Sequence, residues 1–144
     1  MQRYFLCATP QYLKKHGMID HPDQLAQHHF GIFGMGAATQ IIEFTRGDRQ
    51  FKMTIEGRFQ SNQLDLIAKM VLASCCIAVL PEFMVAAEIA KGQLIPCLVN
   101  YRLLAKPLYM IYPQKDLIPL KLKVLIDLLK IYFVQSIFQL QTSE

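Results

Sequence analysis

Between residues 51 and 83 the hydrophobic and polar positions change period three times, with no spacer between the changes. Phe51, Met53 and Ile55 alternate with Lys52, Thr54 and Glu56, the period of a half-buried strand, and Gly57 is expected to close it. A helix is expected to start at Ser61 or Asn62. With Asn62 as the cap, Asp65 falls three residues on, a short-armed variant of the capping box. Leu64, Ile67, Ala68 and Val71 then recur at i, i+3, i+4 and i+7, so one helix face meets a core, with Asp65 and Lys69 paired at i, i+4 on the other side. Ile77 to Leu80 is a continuous apolar run ended by Pro81, the pattern of a strand buried on both faces. The segment reads strand, helix, strand.

Two further stretches carry a clear pattern. Arg46-Gly47-Asp48 separates the apolar runs Ile41 to Phe44 and Phe51 to Ile55 as a hairpin turn does, and is the adhesion tripeptide in letters only. Toward the C-terminus, Val124, Leu125, Ile126, Leu128, Leu129, Ile131, Tyr132, Phe133 and Val134 lie on most sides of a helix expected from Leu122 to Phe138, as in a helix covered more than once. Its apolar run is preceded by Lys121, Lys123, Asp127 and Lys130, so it falls short of the ~20 residues of a membrane span.

Composition narrows the function classes. The 144 residues suit one ordinary domain, and 53% hydrophobic residues is high for a chain whose surface is all wet, so some apolar surface is expected to stay uncovered. The net charge is +4, and the 15 Lys and Arg are scattered from Arg3 to Lys130, without the clustered cations that track phosphates. Met1 to Ala8 is too short for a signal-peptide core of ~7 to 15 apolar residues, so a cytoplasmic location is expected. Cys7, Cys75, Cys76 and Cys97 show no C-x-x-C spacing. Cys75-Cys76 lies in an apolar stretch, and both are expected to be buried, inert thiols rather than a vicinal disulfide or a reactive pair.

Candidate chemistry is sparse. His16, His21, His28 and His29 are close in sequence, but His21 precedes Pro22 at a helix start and the adjacent His28 and His29 cannot share a helical face, so no metal site is expected. Gly31, Gly34 and Gly36 lack the spacing and the following Lys-Ser/Thr of a phosphate loop. No G-x-S-x-G or H-E-x-x-H occurs, and Asp65 and Glu56 read as a helix-start charge and a solvent-facing strand residue. Catalysis is not expected, and no cofactor is implied.

Several segments in order resemble the effector-binding domain of LysR-type transcriptional regulators. They are Arg3 with Leu6-Cys7-Ala8-Thr9-Pro10 and Tyr12-Leu13, then His21-Pro22-Asp23-Gln24-Leu25-Ala26-Gln27-His28, then the strand–helix–strand segment through Ile77-Ala78-Val79-Leu80-Pro81-Glu82-Phe83. Gly92-Gln93-Leu94-Ile95-Pro96, Pro107 to Pro113 and the helix through Phe133 extend the likeness over almost the whole chain. The resemblance implies an α/β fold like that of type 2 periplasmic binding proteins, with one complete lobe and the C-terminal part of the other. Residues 1–8 would be the crossover strand leaving lobe one, residues 9–106 lobe two, and residues 107–144 the return strand and C-terminal helix of lobe one. In the family a winged helix-turn-helix domain, a linker helix and half of lobe one precede the segment that opens at Arg3, so the chain is expected to be an excerpt or a truncated reading frame.

The function so implied is sensing. A small, anionic effector would bind between the lobes and modulate a DNA-bound homo-oligomer, a dimer or tetramer, with DNA touched only through the winged helix-turn-helix domain and no membrane involved. Two alternatives stand beside it: a solute-binding protein of the same fold, which calls for an export signal and a whole first lobe, and an inert remnant. With one cleft wall missing, effector binding by this chain is expected to be weak, since only contacts that differ between lobe arrangements shift them.

Seven residues are candidates for effector contact. Ser61, Asn62 and Gln63 open a helix whose free backbone donors and positive dipole end suit a carboxylate. Either of the first two can instead cap its own helix, and a cap can serve both roles. Thr9 matches the family's Ser or Thr at the lobe crossing, or is simply a turn residue before Pro10. Phe33 and Gly34 match the cleft-lining loop, with core as the alternative for Phe33, and Pro81 bounds the strand that ends near the cleft. The family commonly has glycine near Ser74 and Cys76, so the turn there is expected to differ, because glycine takes a left-handed backbone at little cost and cysteine does not.

Overall fold

The alternating runs on either side of Arg46-Gly47-Asp48 pair as a hairpin. In a computed structural model, which describes residues 3–104 and 119–141 with side chains as far as Tyr132, β3 (Thr39–Arg46) lies antiparallel to β4 (Arg49–Ser61) from Arg46↔Arg49 to Thr39↔Glu56. Gly47 takes φ 58, the left-handed backbone that a two-residue hairpin turn needs. Ile42, Phe44 and Ile55 point into the core, while Lys52, Thr54 and Glu56 are exposed.

Gly57 does not close the strand, contrary to expectation. It marks where β4 exchanges partners: up to Glu56 it pairs with β3, and from Gly57 to Ser61 it pairs in parallel with β2 (Phe30–Phe33). A Cβ at Gly57 would fall 2.5 Å from Ile32 Cδ1 and 3.2 Å from Ile32 Cβ, so the two strands meet this closely only because no side chain intervenes.

A second sheet has β1 (Tyr4–Ala8) at its centre, antiparallel to both β5 (Ala78–Pro81) and β6 (Ile95–Cys97). One parallel bridge, Phe30↔Ile77, joins it to the first sheet, with the Gly31 amide donating to Ile77 O and the Ile77 amide to His29 O, both at 2.8 Å. The expected buried run is found: Ile77, Ala78 and Leu80 are fully buried. Pro81 is itself in the strand, opposite Tyr4, and stands before α3 (Glu82–Ala90). The period of β1 sends Leu6 and Ala8 into one core cluster, with Tyr12, Leu25, Phe30, Phe44 and Ile77, and Cys7 into the other, with Ile67, Val71, Leu80 and Val85. The first cluster is covered by α1 (Pro10–His16) and a 3-10 helix (Pro22–Gln27), where Gln24 Oε1 accepts from the His21 amide and His21 Nδ1 from the Asp23 amide. A two-residue strand, β7 (Arg102–Leu103), borders β3.

The helix of the central segment, α2 (Leu64–Leu72), starts later than expected. Its N-cap is Gln63, without a side-chain capping hydrogen bond, and Asp65 is its second residue. The reason is β4, which keeps pairing through Ser61↔Phe33 and leaves only Asn62 and Gln63 to turn the chain. Ile67 and Val71 are buried as the period requires. Asp65 and Lys69 are exposed and form no ion pair within the described residues.

The end of α2 is a Schellman turn, with the Cys75 amide donating to Met70 O at 3.0 Å and the Ser74 amide to Val71 O at 2.9 Å. Its left-handed residue, where glycine is usual, is Ser74 at φ 60. Cys75 is exposed, which corrects its expected burial, and Cys76 is buried. The Schellman turn swings Cys75 outward before β5 carries the chain back into the core.

By its contacts the chain divides into a compact unit over Arg3–Ala105 and a second unit that holds α4 (Leu120–Gln141). In α4, Val124, Leu125, Leu128, Ile131 and Tyr132 are exposed and Ile126 is buried. The strand expected at Leu108 to Tyr112 lies outside the described residues. No helix among the described residues is long and apolar enough to cross a membrane.

Candidate functional site

Strand direction sorts the seven candidate residues. β2, β4 and β5 point the same way, so Phe33, Ser61 and Pro81 sit at the carboxyl ends of three strands along one edge of the sheets. In open sheets with parallel strands, ligands bind in the crevice outside such ends. Phe33 is paired with Ser61, and the Gly34 amide donates to Ser61 O at 2.9 Å, so the loop after β2 is tied to the turn before α2. Phe33 is 53% exposed, which removes the core alternative. Asn62 and Gln63 are also exposed, whereas Pro81 is buried.

Ser61 serves the turn rather than the helix. Its Oγ accepts from the Gln63 amide at 3.0 Å, the residue just before the first residue of α2. The first-turn amides of α2 therefore receive no capping side chain from Gln63, and a carboxylate placed there meets backbone donors and the positive dipole end. Asp65 in the same turn supplies negative charge of its own, which lowers the pull on an anion.

Thr9 is at the other edge. β1 runs against β5, so the end of β1 lies beside the start of β5 and away from Pro81. Thr9 is buried and caps α1, its Oγ1 accepting from the Tyr12 amide at 3.1 Å, and it shares a hydrogen bond with Ser74 Oγ at 2.5 Å. An open concavity of about 510 Å³ borders both hydroxyls, with Gln11, Leu72 and Gln93.

One pair at the first edge has no signal in the sequence. Glu82, buried at the start of α3, accepts from Arg3 Nε at 2.9 Å and Arg3 Nη2 at 2.7 Å, and its amide donates to Arg3 O at 3.0 Å. The partners are 79 residues apart, and only the register Tyr4↔Pro81 brings them together. The exposed Phe83 follows directly.

Burial pushes the Cys7 thiol up to about 12, helped by Cys97, and pushes Cys76 and Cys97 to about 11, so none is a thiolate near neutral pH. No cluster of three or more His, Cys, Asp or Glu side chains among the described residues could hold a metal ion.

Comparison with known proteins agrees with this architecture. The family model described as the LysR substrate binding domain matches residues 1–133. The HTH-type transcriptional activator AaeR of Escherichia coli K12 is 28% identical over 130 residues, 90% of this chain and 42% of AaeR. The HTH-type transcriptional regulator PtxR of Pseudomonas aeruginosa is 28% identical over 137 residues, 95% of this chain and 44% of PtxR. The chain thus spans less than half the length of these curated relatives. Among solved structures, the LysR-type regulator CrgA of Neisseria meningitidis superposes with a TM-score of 0.58 at 27% identity, over 71% of this chain and 36% of CrgA. The full-length Vibrio cholerae virulence activator AphB superposes at 0.62 and 23% identity, over 71% of this chain and 35% of AphB, a likeness of fold alone. The expected α/β fold of the type 2 periplasmic-binding-protein kind is the one observed, and the chain belongs to the LysR substrate-binding domain family.

Proposed function

We propose that the edge formed by Phe33, Gly34, Ser61, Asn62, Gln63 and Pro81 is one wall of an effector cleft, and that the chain is the sensing part of a LysR-type regulator. The observation that carries this reading is the convergence of these residues at the carboxyl ends of β2, β4 and β5. An exposed aromatic ring stands there beside backbone donors and amide side chains. That combination suits a small molecule with an apolar body and a carboxylate. Residues 9–106 then act as the second lobe and residues 107–144 as the return segment of the first. DNA is reached through a winged helix-turn-helix domain outside these residues, in a cytoplasmic homo-oligomer. Thr9 is left out of the contact set, because it faces the other edge and its hydroxyl is engaged by Tyr12 and Ser74.

The test is amide-resolved NMR of the chain titrated with benzoate. The expected result is a saturable shift of the Phe33, Gly34 and Asn62 to Leu66 amides, diminished by Gln63→Glu, which adds a second negative charge beside Asp65. Shifts confined to the concavity at Thr9 and Ser74, or no saturable shift, would overturn it.

A further inference from the structure

The contacts around the start of β2 place an uncommon set of side chains together. His28 is 8% exposed, and its Nδ1 is fully buried with no hydrogen-bond partner among the described residues. Its ring lies 5.8 Å from that of Tyr12, whose own ring stacks on His16 at 4.4 Å, and His16 meets His29 edge-on at 5.2 Å. His29 has its Nε2 at 2.6 Å from Arg58 Nη1. A guanidinium only donates, so the imidazole nitrogen accepts, and His29 is neutral in this arrangement. The Tyr12 hydroxyl in turn accepts from the His29 amide at 2.9 Å, which pins the residue that precedes β2.

The basic groups that face the two imidazoles can carry only positive charge. From α1 come His16 and Lys15, from β4 comes Arg58, and Tyr12 is neutral near neutral pH. Glu56, the carboxylate nearest to Arg58 along β4, stands opposite Thr39 on the far strand. A proton on His28 would be buried without a partner, and one on His29 would set a cation against Arg58 and remove the acceptor that Arg58 uses.

We propose that this cluster is an acid-sensitive switch: protonation of His28 and His29 breaks the Arg58 contact, separates the imidazoles and frees the start of β2 from Tyr12. The strand is four residues long, and its other end carries Phe33, so loosening at His29 is felt at the candidate edge. The switch stands whether or not that edge binds an effector.

Linkage gives the direction. Burial, followed by His16 and His29, holds His28 below the ordinary imidazole value, and burial, followed by Arg58, holds His29 below it. The unfolded chain therefore takes up these protons first, and the stability present above the ordinary imidazole value is lost as pH falls through the lowered values.

The experiment compares amide hydrogen-exchange protection factors of His29, Gly31 and Ile77 at pH 7.5 and pH 5, together with the side-chain titration of each histidine by NMR. The expected result is a loss of protection at these amides at the lower pH, retained in full by a His28→Phe, His29→Gln variant, with both native imidazoles titrating below their unfolded value. Equal protection at the two pH values in the native chain, the same loss in the variant, or titration of His28 and His29 at or above the unfolded value would each overturn the switch. The titration is read on the native chain, so it decides the matter even where the variant does not fold.

Discussion

Thr9 and Ser74, 65 positions apart, share a hydrogen bond of 2.5 Å between their hydroxyls, and this bond ties the cap of α1 to the left-handed residue that ends α2. Ser74 holds a backbone conformation that glycine would adopt without strain, and its hydroxyl is what glycine would lack. Replacing Ser74 by Gly relieves about 1 kcal/mol of strain and loses a bond worth about 1 kcal/mol, so that variant is expected near the native stability. Ser74→Ala keeps the strain and loses the bond, and is expected to fall about 1 kcal/mol below the native chain. Urea midpoints decide it, and an Ala variant as stable as the Gly variant would contradict a strained Ser74.

Gly57→Ala is expected to destabilise by about 1–3 kcal/mol, because its Cβ would meet Ile32 where two strands are closest. Ile32→Val removes the Cδ1 atom at 2.5 Å, so the penalty should shrink by about 0.5 kcal/mol or more in that background. A double-mutant cycle by thermal unfolding measures the coupling; an unchanged penalty would place the strain elsewhere.

The Arg3–Glu82 pair should respond unequally to its two deletions. Arg3→Met leaves a buried carboxylate without its fork of donors and is expected to cost about 1–3 kcal/mol, held to the lower part of that range because the Arg3 side chain is 49% exposed. Glu82→Gln removes the charge but keeps an acceptor for Arg3, and should cost less. Urea unfolding of both variants gives the order, and the reverse order would mean that the carboxylate is stabilised by something other than Arg3.

Thiol labelling separates the exposed Cys75 from the buried Cys7 and Cys76. Cys75 is exposed, whereas Cys7 and Cys76 are buried with their thiols pushed to about 12 and about 11. Iodoacetamide at pH 7.5 is expected to modify Cys75 first in the native chain, with Cys7 and Cys76 reacting only once the chain is unfolded. Peptide mass spectrometry at short times reads this directly; early modification of Cys7 would show that β1 leaves the sheet.

What repeats locally is legible in the order of residues alone. The period of two built β3 and β4, the period of 3.6 chose the core face of α2, the apolar run Ile77 to Leu80 became a buried strand, and Gly47 marked the hairpin. That order also carried the family, because order along the chain is what a resemblance reads. The candidate site is legible only in part. The residues at the ends of β2 and β4 share a cleft only through the family resemblance, since no local pattern groups them, and Thr9, grouped with them by the same resemblance, lies at the opposite edge.

Whatever depends on strand direction and distant pairing is settled only when the elements pack. Gly57 looked like an end because alternation stopped there, yet it is a change of partner, and a partner is not written in local sequence. Arg3 with Glu82, Thr9 with Ser74, and the ring cluster of Tyr12 with His16, His28 and His29 form for the same reason. Local periodicity specifies which face of an element is buried. Only the register between elements specifies which polar groups are buried together, and the energy of a buried polar group is set by the partner it finds there.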